Sequence, residues 1–553
     1  MEKSRRDFLK SGVRIGTVSL ALPALAHGAV RDSLAPQSGQ ASAAGIRPFE
    51  LEEMTISELQ RGLLAGRFTA RSLTEQYLGR IAEIDKQGPS INAIIQVNPD
   101  ALSIADELDA ERKSGKSRGP LHGIPVLIKD NIGTADQMMT TAGSLALSGF
   151  TPNKDSGVAR RLREGGAIIL GKTNLSEWAN FRSSHSSSGW SGRGGQTRNP
   201  YALDRNPSGS SSGSAVAAAA SLCAGALGTE TNGSIVSPSS SNGLVGIKPT
   251  VGLISRTGIV PISHSQDTAG PICRTVSDAA ILLGALAGVD AEDPATQASQ
   301  GKSAPDYSRF LDPAGLRGAR IGVVRKLFGG TEATDAVMEV ALDAMKREGA
   351  ILLDPVEIES LGKFDDSEME VLLYEFKADL NKYFAGFAPN VPVRSLKEII
   401  EFNEHNHEKE MPYFGQDIMV KSEAKGSLTD KTYRAALEMN HRLTRRDGID
   451  AVVERYKLDA LVAPTRPPAG LTDLVDGDHR LGTSAALPAV AGYPHITVPA
   501  GFVFGLPVGI SFFGRAWSEP ALIRIAYSFE QATHARRPPR FLATVVLAPN
   551  SGS

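Results

Sequence analysis

The sequence predicts an α/β layered protein, and two observations carry that expectation. Strand-like apolar runs recur at Val126–Ile128, Ala167–Leu170, Arg320–Val324, Ala460–Val462, His495–Val498 and Val508–Phe513. Between several of them lie segments of helical pattern such as Asp335–Glu348. Alternation of these two patterns packs helices against a sheet. The 553 residues are 41% hydrophobic and 22% charged, enough apolar material for a sizeable core. Lys+Arg of 59 against Asp+Glu of 61 gives a net charge of −2. Without a basic field, nucleic acid is not expected as a partner. Two cysteines, Cys223 and Cys273, are too few for a disulfide framework or a four-thiolate zinc site.

The N-terminus reads as an address. Residues 1–26 begin with a charged stretch containing Ser4-Arg5-Arg6-Asp7-Phe8-Leu9-Lys10, continue with the apolar run Ile15–Ala26, and end in small residues. Such a segment is expected to be a secretory signal. Its paired arginines resemble a twin-arginine export signal, which implies the twin-arginine machinery as a partner and a periplasmic or secreted location. Residues 27–47 are rich in Ala, Gly and Ser and read as a linker, leaving 48–545 for the main folded domain. No later run reaches the roughly 18 apolar residues of a spanning helix, so no stable membrane association is expected.

Helix starts are marked by capping-box patterns at Thr55-x-x-Glu58 and Ser72-x-x-Glu75. After the second, Leu73, Tyr77, Leu78, Ile81 and Ile84 repeat at helical spacing. Residues 360–450 are charged, helical in pattern and poor in strand runs, as for a helical lobe over a site or at the periphery. Cys223 reads as a core thiol in an apolar helix, and Trp190 and Tyr201 as packing residues.

The most informative stretch is Ser208-Gly-Ser-Ser-Ser-Gly-Ser214, followed by the helix-forming Ala215–Leu222. A Gly/Ser loop entering a helix turns several backbone N–H groups toward one point and suits a phosphate or a transient oxyanion. The lysine of a phosphate-binding P-loop is absent. Gly209-Ser-Ser211-Ser-Gly213 also matches a nucleophile elbow, but no strand pattern precedes it, and His479, His495 and His534 lie in no telling context. Downstream, Gly228-Thr-Glu-Thr-Asn-Gly-Ser-Ile235 repeats the same logic of small residues beside a hydroxyl. Upstream, Lys129 ends the apolar segment Gly123-Ile-Pro-Val-Leu-Ile. Burial there would lower its pKa and make it a general base, whereas a snorkelling surface lysine would stay charged.

In this order these three segments resemble the amidase signature family. Ser210 and Ser234 stand two dozen residues apart, as the family's two serines do; Ser211 gives a poorer register. Asp459–Thr465, Pro499–Gly501, Gly505–Ile510 and Phe529–Thr533 resemble the family's C-terminal segments. The run 186–201 and the exported N-terminus resemble most the family's bacterial peptide amidases.

The resemblance implies a large twisted mixed central β-sheet covered by helices on both faces, with a helical peripheral lobe. It implies a serine amidohydrolase that turns a carboxamide into carboxylate and ammonia, with the C-terminal amide of peptides as the expected substrate. Ser234 is the implied nucleophile, Ser210 the bridging serine after a cis peptide bond, and Lys129 the base. Backbone N–H groups of Thr231, Asn232, Gly233 and Ser234 are the implied oxyanion hole. Asn232 departs from the glycine common in the family. No cofactor and no metal are implied. A broad aliphatic or aryl amidase, and the glutaminase subunit of an aminoacyl-tRNA amidotransferase, are the alternatives within the family; a binding protein without turnover is the alternative outside it. Glu404-His405-Asn-His407-Glu408 reads as a solvated helix face, since two histidines two residues apart point apart on a helix. Ser360-x-x-Lys363 and Ser422-x-x-Lys425 read as chance matches to a penicillin-recognising motif.

Overall fold

A computed structural model of the chain describes residues 46–388, 390–479 and 482–545. The proposed signal segment 1–26 and most of the linker 27–47 therefore lie outside the described residues. The strands, in chain order, are β1 Ile94–Val97, β2 Pro125–Lys129, β3 Ile168–Thr173, β4 Trp190–Ser191, β5 Gly195–Gln196, β6 Gly225–Glu230, β7 Val245–Lys248, β8 Thr268–Cys273, β9 Arg320–Val323, β10 Ile351–Leu353, β11 Ala460–Pro464, β12 His495–Val503 and β13 Leu506–Phe513.

Eleven strands make one sheet in the order β1-β3-β2-β6-β8-β7-β12-β13-β11-β9-β10, and β4 pairs with β5 apart from it. β2 is parallel to β3 and β6, and β9 is parallel to β10 and β11. The pairs through β8, β7, β12 and β13 are antiparallel, so the sheet is mixed. All six apolar runs fall on strands. β6 (Gly-Ala-Leu-Gly-Thr-Glu) has no such run; it is a strand because β2 and β8 pair with it on either side.

Helix starts follow their caps. Thr55 and Glu58 form the expected capping box before the helix Ile56–Leu64. The next helix, Ala70–Ile84, starts earlier than expected. Thr69 is its N-cap, bonded reciprocally to Ser72, which occupies the third helical position. Glu75 instead pairs with Arg71, one turn before it. The helix expected at 335–348 runs over Glu332–Arg347 from the N-cap Thr331. Cys223 is buried, but it lies beyond the end of the helix Ser212–Ala219 rather than inside it.

Between 365 and 456 the described residues form helices and no strand, beginning with Asp365–Gly386. Phe376, Leu380, Phe384 and Leu396 from this region pack with Trp178 and Phe181 in an apolar cluster of their own. Trp190 lies edge-on to Tyr413 and Phe414 from the same region, and Tyr201 is buried with its hydroxyl donating to the Arg537 carbonyl. Both aromatics are packing residues. Among the described residues no helix is long and apolar enough to cross a membrane.

Candidate active site

The site forms where the parallel strands β2 and β6 end side by side. Ligands commonly bind at the carboxyl ends of parallel strands. The apolar residues of β2 carry Lys129 into the interior, where it is fully buried. Its Nζ donates to Ser210 Oγ (2.8 Å), Thr229 Oγ1 (2.9 Å) and the Thr229 carbonyl (3.3 Å). Burial lowers its pKa to about 7, against the opposing pull of Asp267 and Glu230. Burial also lowers Lys172 and Lys248 to about 8. Those two donate to Ile132 O and Thr140 Oγ1, and to Pro249 O. Burial alone does not single out Lys129; its contact with a serine hydroxyl does.

Ser210 sits just before the helix Ser212–Ala219, and the Gly209–Ser210 peptide bond is cis, as the resemblance implies. The Ser210 carbonyl accepts from Ser176 N–H (3.1 Å), and Ser211 N–H donates to the Ser234 carbonyl (3.2 Å). That second bond ties the two serine loops together. The neighbouring Ser211 hydroxyl donates to the Thr229 carbonyl and accepts from Thr229 N–H, so it is spent on backbone. This disfavours Ser211 as an elbow nucleophile.

The loop after β6 is shaped from outside. Glu230 accepts from Ile235 N–H and Val236 N–H, turning the chain back. Thr231 Oγ1 donates to Asp267 (2.6 Å). Asn232 Nδ2 donates to Glu368 Oε1 (2.8 Å), and Gly233 adopts a φ of 82°, the left-handed region that favours glycine. Among the described residues, none of the N–H groups of Thr231, Asn232, Gly233 and Ser234 has a backbone or side-chain acceptor inside the protein. Four free donors on one turn, beside a nearly buried serine, suit an anion that forms and disappears.

A cavity of about 410 Å³ reaches this site through Asn131, Thr229, Thr231 and Asp267. Ile259, Val260, Ile262, Tyr383 and Phe387 give it apolar walls. The helix Asp365–Gly386 and the residue after it contribute one side, so the helical region stands over the site. Arg256 and Asp293 pair across the lining, as do Lys154 and Glu292. His264, Glu375 and Asp379 bring potential metal-ligand atoms within 4.8 Å of one another. Glu375, however, already accepts from Ser263, Ser265 and Tyr433, which describes an ion-pair and hydroxyl network. His405 and His407 are exposed, as expected. Ser360 bonds toward Asp447 and Lys425 pairs with Glu370, away from any common site.

The structure thus brings together Lys129, Ser210 and the 231–234 loop, all singled out by their sequence patterns. Thr229 lies in the same segment as that loop, whereas Gln266, Asp267 and Glu368, which also hold the site, stand in no such pattern. No local signal marks Glu368, whose partner Asn232 is 136 residues away.

The amidase family model matches residues 72–523. A probable amidase of Arabidopsis thaliana is 45% identical over 505 residues, covering 90% of this chain and 93% of the relative. The crystal structure of a peptide amidase from Stenotrophomonas maltophilia is 51% identical with a TM-score of 0.85, covering 89% of this chain and all of that one. More distant is a glutamyl-tRNA(Gln) amidotransferase subunit from Synechococcus, 34% identical over 88% of this chain and 93% of the relative. With this match, this sheet and these neighbours, the chain belongs to the amidase family and is an amide-hydrolysing enzyme.

Proposed function

We propose that the enzyme hydrolyses the C-terminal carboxamide of peptides, using Ser234 as nucleophile, Ser210 as proton bridge and Lys129 as base. The observation that carries this reading is the 2.8 Å contact between the Lys129 amine and the Ser210 hydroxyl in a buried site. Over that distance a neutral amine accepts the Ser210 proton while Ser210 takes the proton of Ser234. The Ser234 oxygen bonds to the amide carbon, and the carbonyl electrons move onto oxygen. The free N–H groups of residues 231–234 receive that charge. The proton returns along the relay to the nitrogen, the C–N bond breaks, and ammonia leaves. Water then opens the acyl-enzyme by the same path, releasing the carboxylic acid and restoring Ser234.

Support for a peptide substrate is the 51% identity to a peptide amidase and the apolar walls of the cavity. Ammonia release from a dipeptide amide, glutamine, malonamate and a fatty amide tests it. The dipeptide amide is expected to be turned over fastest. Preference for the fatty amide defeats the peptide assignment in favour of a broad amidase, and preference for glutamine does so in favour of an amidotransferase-type glutaminase.

We also propose export by the twin-arginine route, from the Arg5-Arg6-Asp7-Phe8-Leu9-Lys10 sequence. Replacing both arginines by lysine is expected to retain the protein in the cytoplasm; unchanged secretion would refute the route.

A further inference from the structure

The turn that carries the proposed oxyanion donors is not held by its own backbone N–H groups, which are free among the described residues. Other bonds fix it. The Thr231 carbonyl accepts from Gln266 Nε2 (3.2 Å), and the Gly233 carbonyl accepts from Ser237 N–H (2.8 Å). The Asn232 side chain at the apex has one partner among the described residues, Glu368 Oε1 (2.8 Å). Gln266 Nε2 donates to that same oxygen (2.9 Å). One carboxylate oxygen thus gathers two amide donors, each tied to this turn. Glu368 is itself buried in the helix Asp365–Gly386, whose later residues Asp379, Lys382 and Tyr383 line the cavity.

We infer that Glu368 is a positioning residue for the reaction, setting the turn through Asn232 and Gln266 so that the N–H groups of residues 231–234 converge on the substrate oxygen. This rests on Ser234 being the nucleophile. Glu368 touches neither Lys129 nor either serine, so it moves no proton. Its effect is geometric: releasing Asn232 lets the apex of the turn drift, and a displacement of about 1 Å in a site of this kind costs on the order of 10²-fold in rate. Because the amides meet the oxygen mainly once it is charged, the loss falls on kcat and not on KM.

The test measures kcat and KM on the best amide of the substrate panel for the wild type and for Glu368→Ala, Glu368→Gln, Asn232→Ala and the double alanine variant, with Ser234→Ala alongside. Glu368→Ala is expected to lose on the order of 10²-fold in kcat with KM nearly unchanged. Glu368→Gln keeps an oxygen acceptor and is expected to recover most of that loss. Asn232→Ala cuts only the apex connection and is expected to lose kcat in the same direction but by no more than Glu368→Ala, which also releases Gln266. The double variant is expected to be no worse than Glu368→Ala alone, because that change already severs the Asn232 connection. Wild-type kcat in Glu368→Ala, a loss confined to KM, or additive effects in the double variant would overturn the inference. If Glu368→Ala does not fold, Asn232→Ala decides alone: wild-type kcat there overturns it. Turnover by Ser234→Ala would instead bring down the nucleophile assignment, so the two failures are distinct.

Discussion

The Lys129 amine and the Ser210 hydroxyl are 81 residues apart in the chain and 2.8 Å apart in the fold. β2 delivers the first and the loop before the helix Ser212–Ala219 the second; β6, paired with β2, closes the third side with Thr229. Lys129 is held there by hydrogen bonds to hydroxyl and carbonyl oxygens and, among the described residues, has no carboxylate in contact, which favours its neutral form.

Lys129→Met keeps the length and apolar stem of the side chain and removes the base. A general base of this kind contributes about 10²–10⁴-fold, so kcat is expected to fall by about 10³ with circular dichroism unchanged. Wild-type steady-state rates in the variant would show that the amine is not the base.

The pH dependence follows from the direction of the Lys129 shift. Below about 7 the amine is an ammonium and has no lone pair to accept a proton; above it the neutral form dominates. For an uncharged substrate, kcat/KM is therefore expected to rise with pH through an apparent pKa near 7. Asp267 and Glu230 both pull this value upward. Asp267→Asn should move the midpoint of the profile to lower pH, and an unmoved midpoint would contradict the assignment of that limb to Lys129.

Thr229→Val is nearly isosteric and removes the oxygen that accepts from both Lys129 and Asn131 (2.9 and 3.0 Å). Two buried donors lose a partner, so unfolding free energy from urea titration is expected to drop by about 2–3 kcal/mol. Activity is expected to fall as well, because the amine is no longer steered toward Ser210.

Gly213→Ala probes how tightly the serine loop is packed. A Cβ at this position would lie 2.3 Å from the Ala93 carbonyl oxygen and 2.5 Å from that of Asn174. Both are backbone atoms that cannot swing aside. Destabilisation of about 3 kcal/mol, or failure to accumulate as folded protein, is expected from overpacking at this contact. A variant with an unchanged melting temperature would mean the loop can shift.

What can be read in the sequence divides along the reach of the interactions. The segments that hold Lys129, Ser210 and the Thr231–Ser234 turn are legible because local chemistry dictates their residue types, an apolar run ended by an amine and small residues that free backbone N–H groups; which residue takes which role within them comes from the family resemblance. Strands with continuous apolar runs are legible for the same reason. β6 is not, because its two glycines and one alanine are strand-forming only between β2 and β8. The true start of the helix at Ala70 is hidden by two overlapping capping patterns, Thr69 with Ser72 and Ser72 with Glu75, of which backbone geometry selects the first. Gln266, Asp267 and Glu368 are invisible, since an acid or amide in polar sequence carries no mark of the distant turn it will hold. The cavity walls share that fate: Ile262 and Phe387, far apart in sequence, line one cavity only through the tertiary fold.

The most direct measurement is fluorophosphonate labelling of the folded enzyme, followed by mapping of the adduct by peptide mass spectrometry. A single adduct on Ser234, formed in parallel with loss of amide hydrolysis and strongly slowed in Lys129→Met, is the expected result. An adduct on Ser211 or another serine, or full labelling of Ser234 in the absence of the Lys129 amine, would contradict the relay.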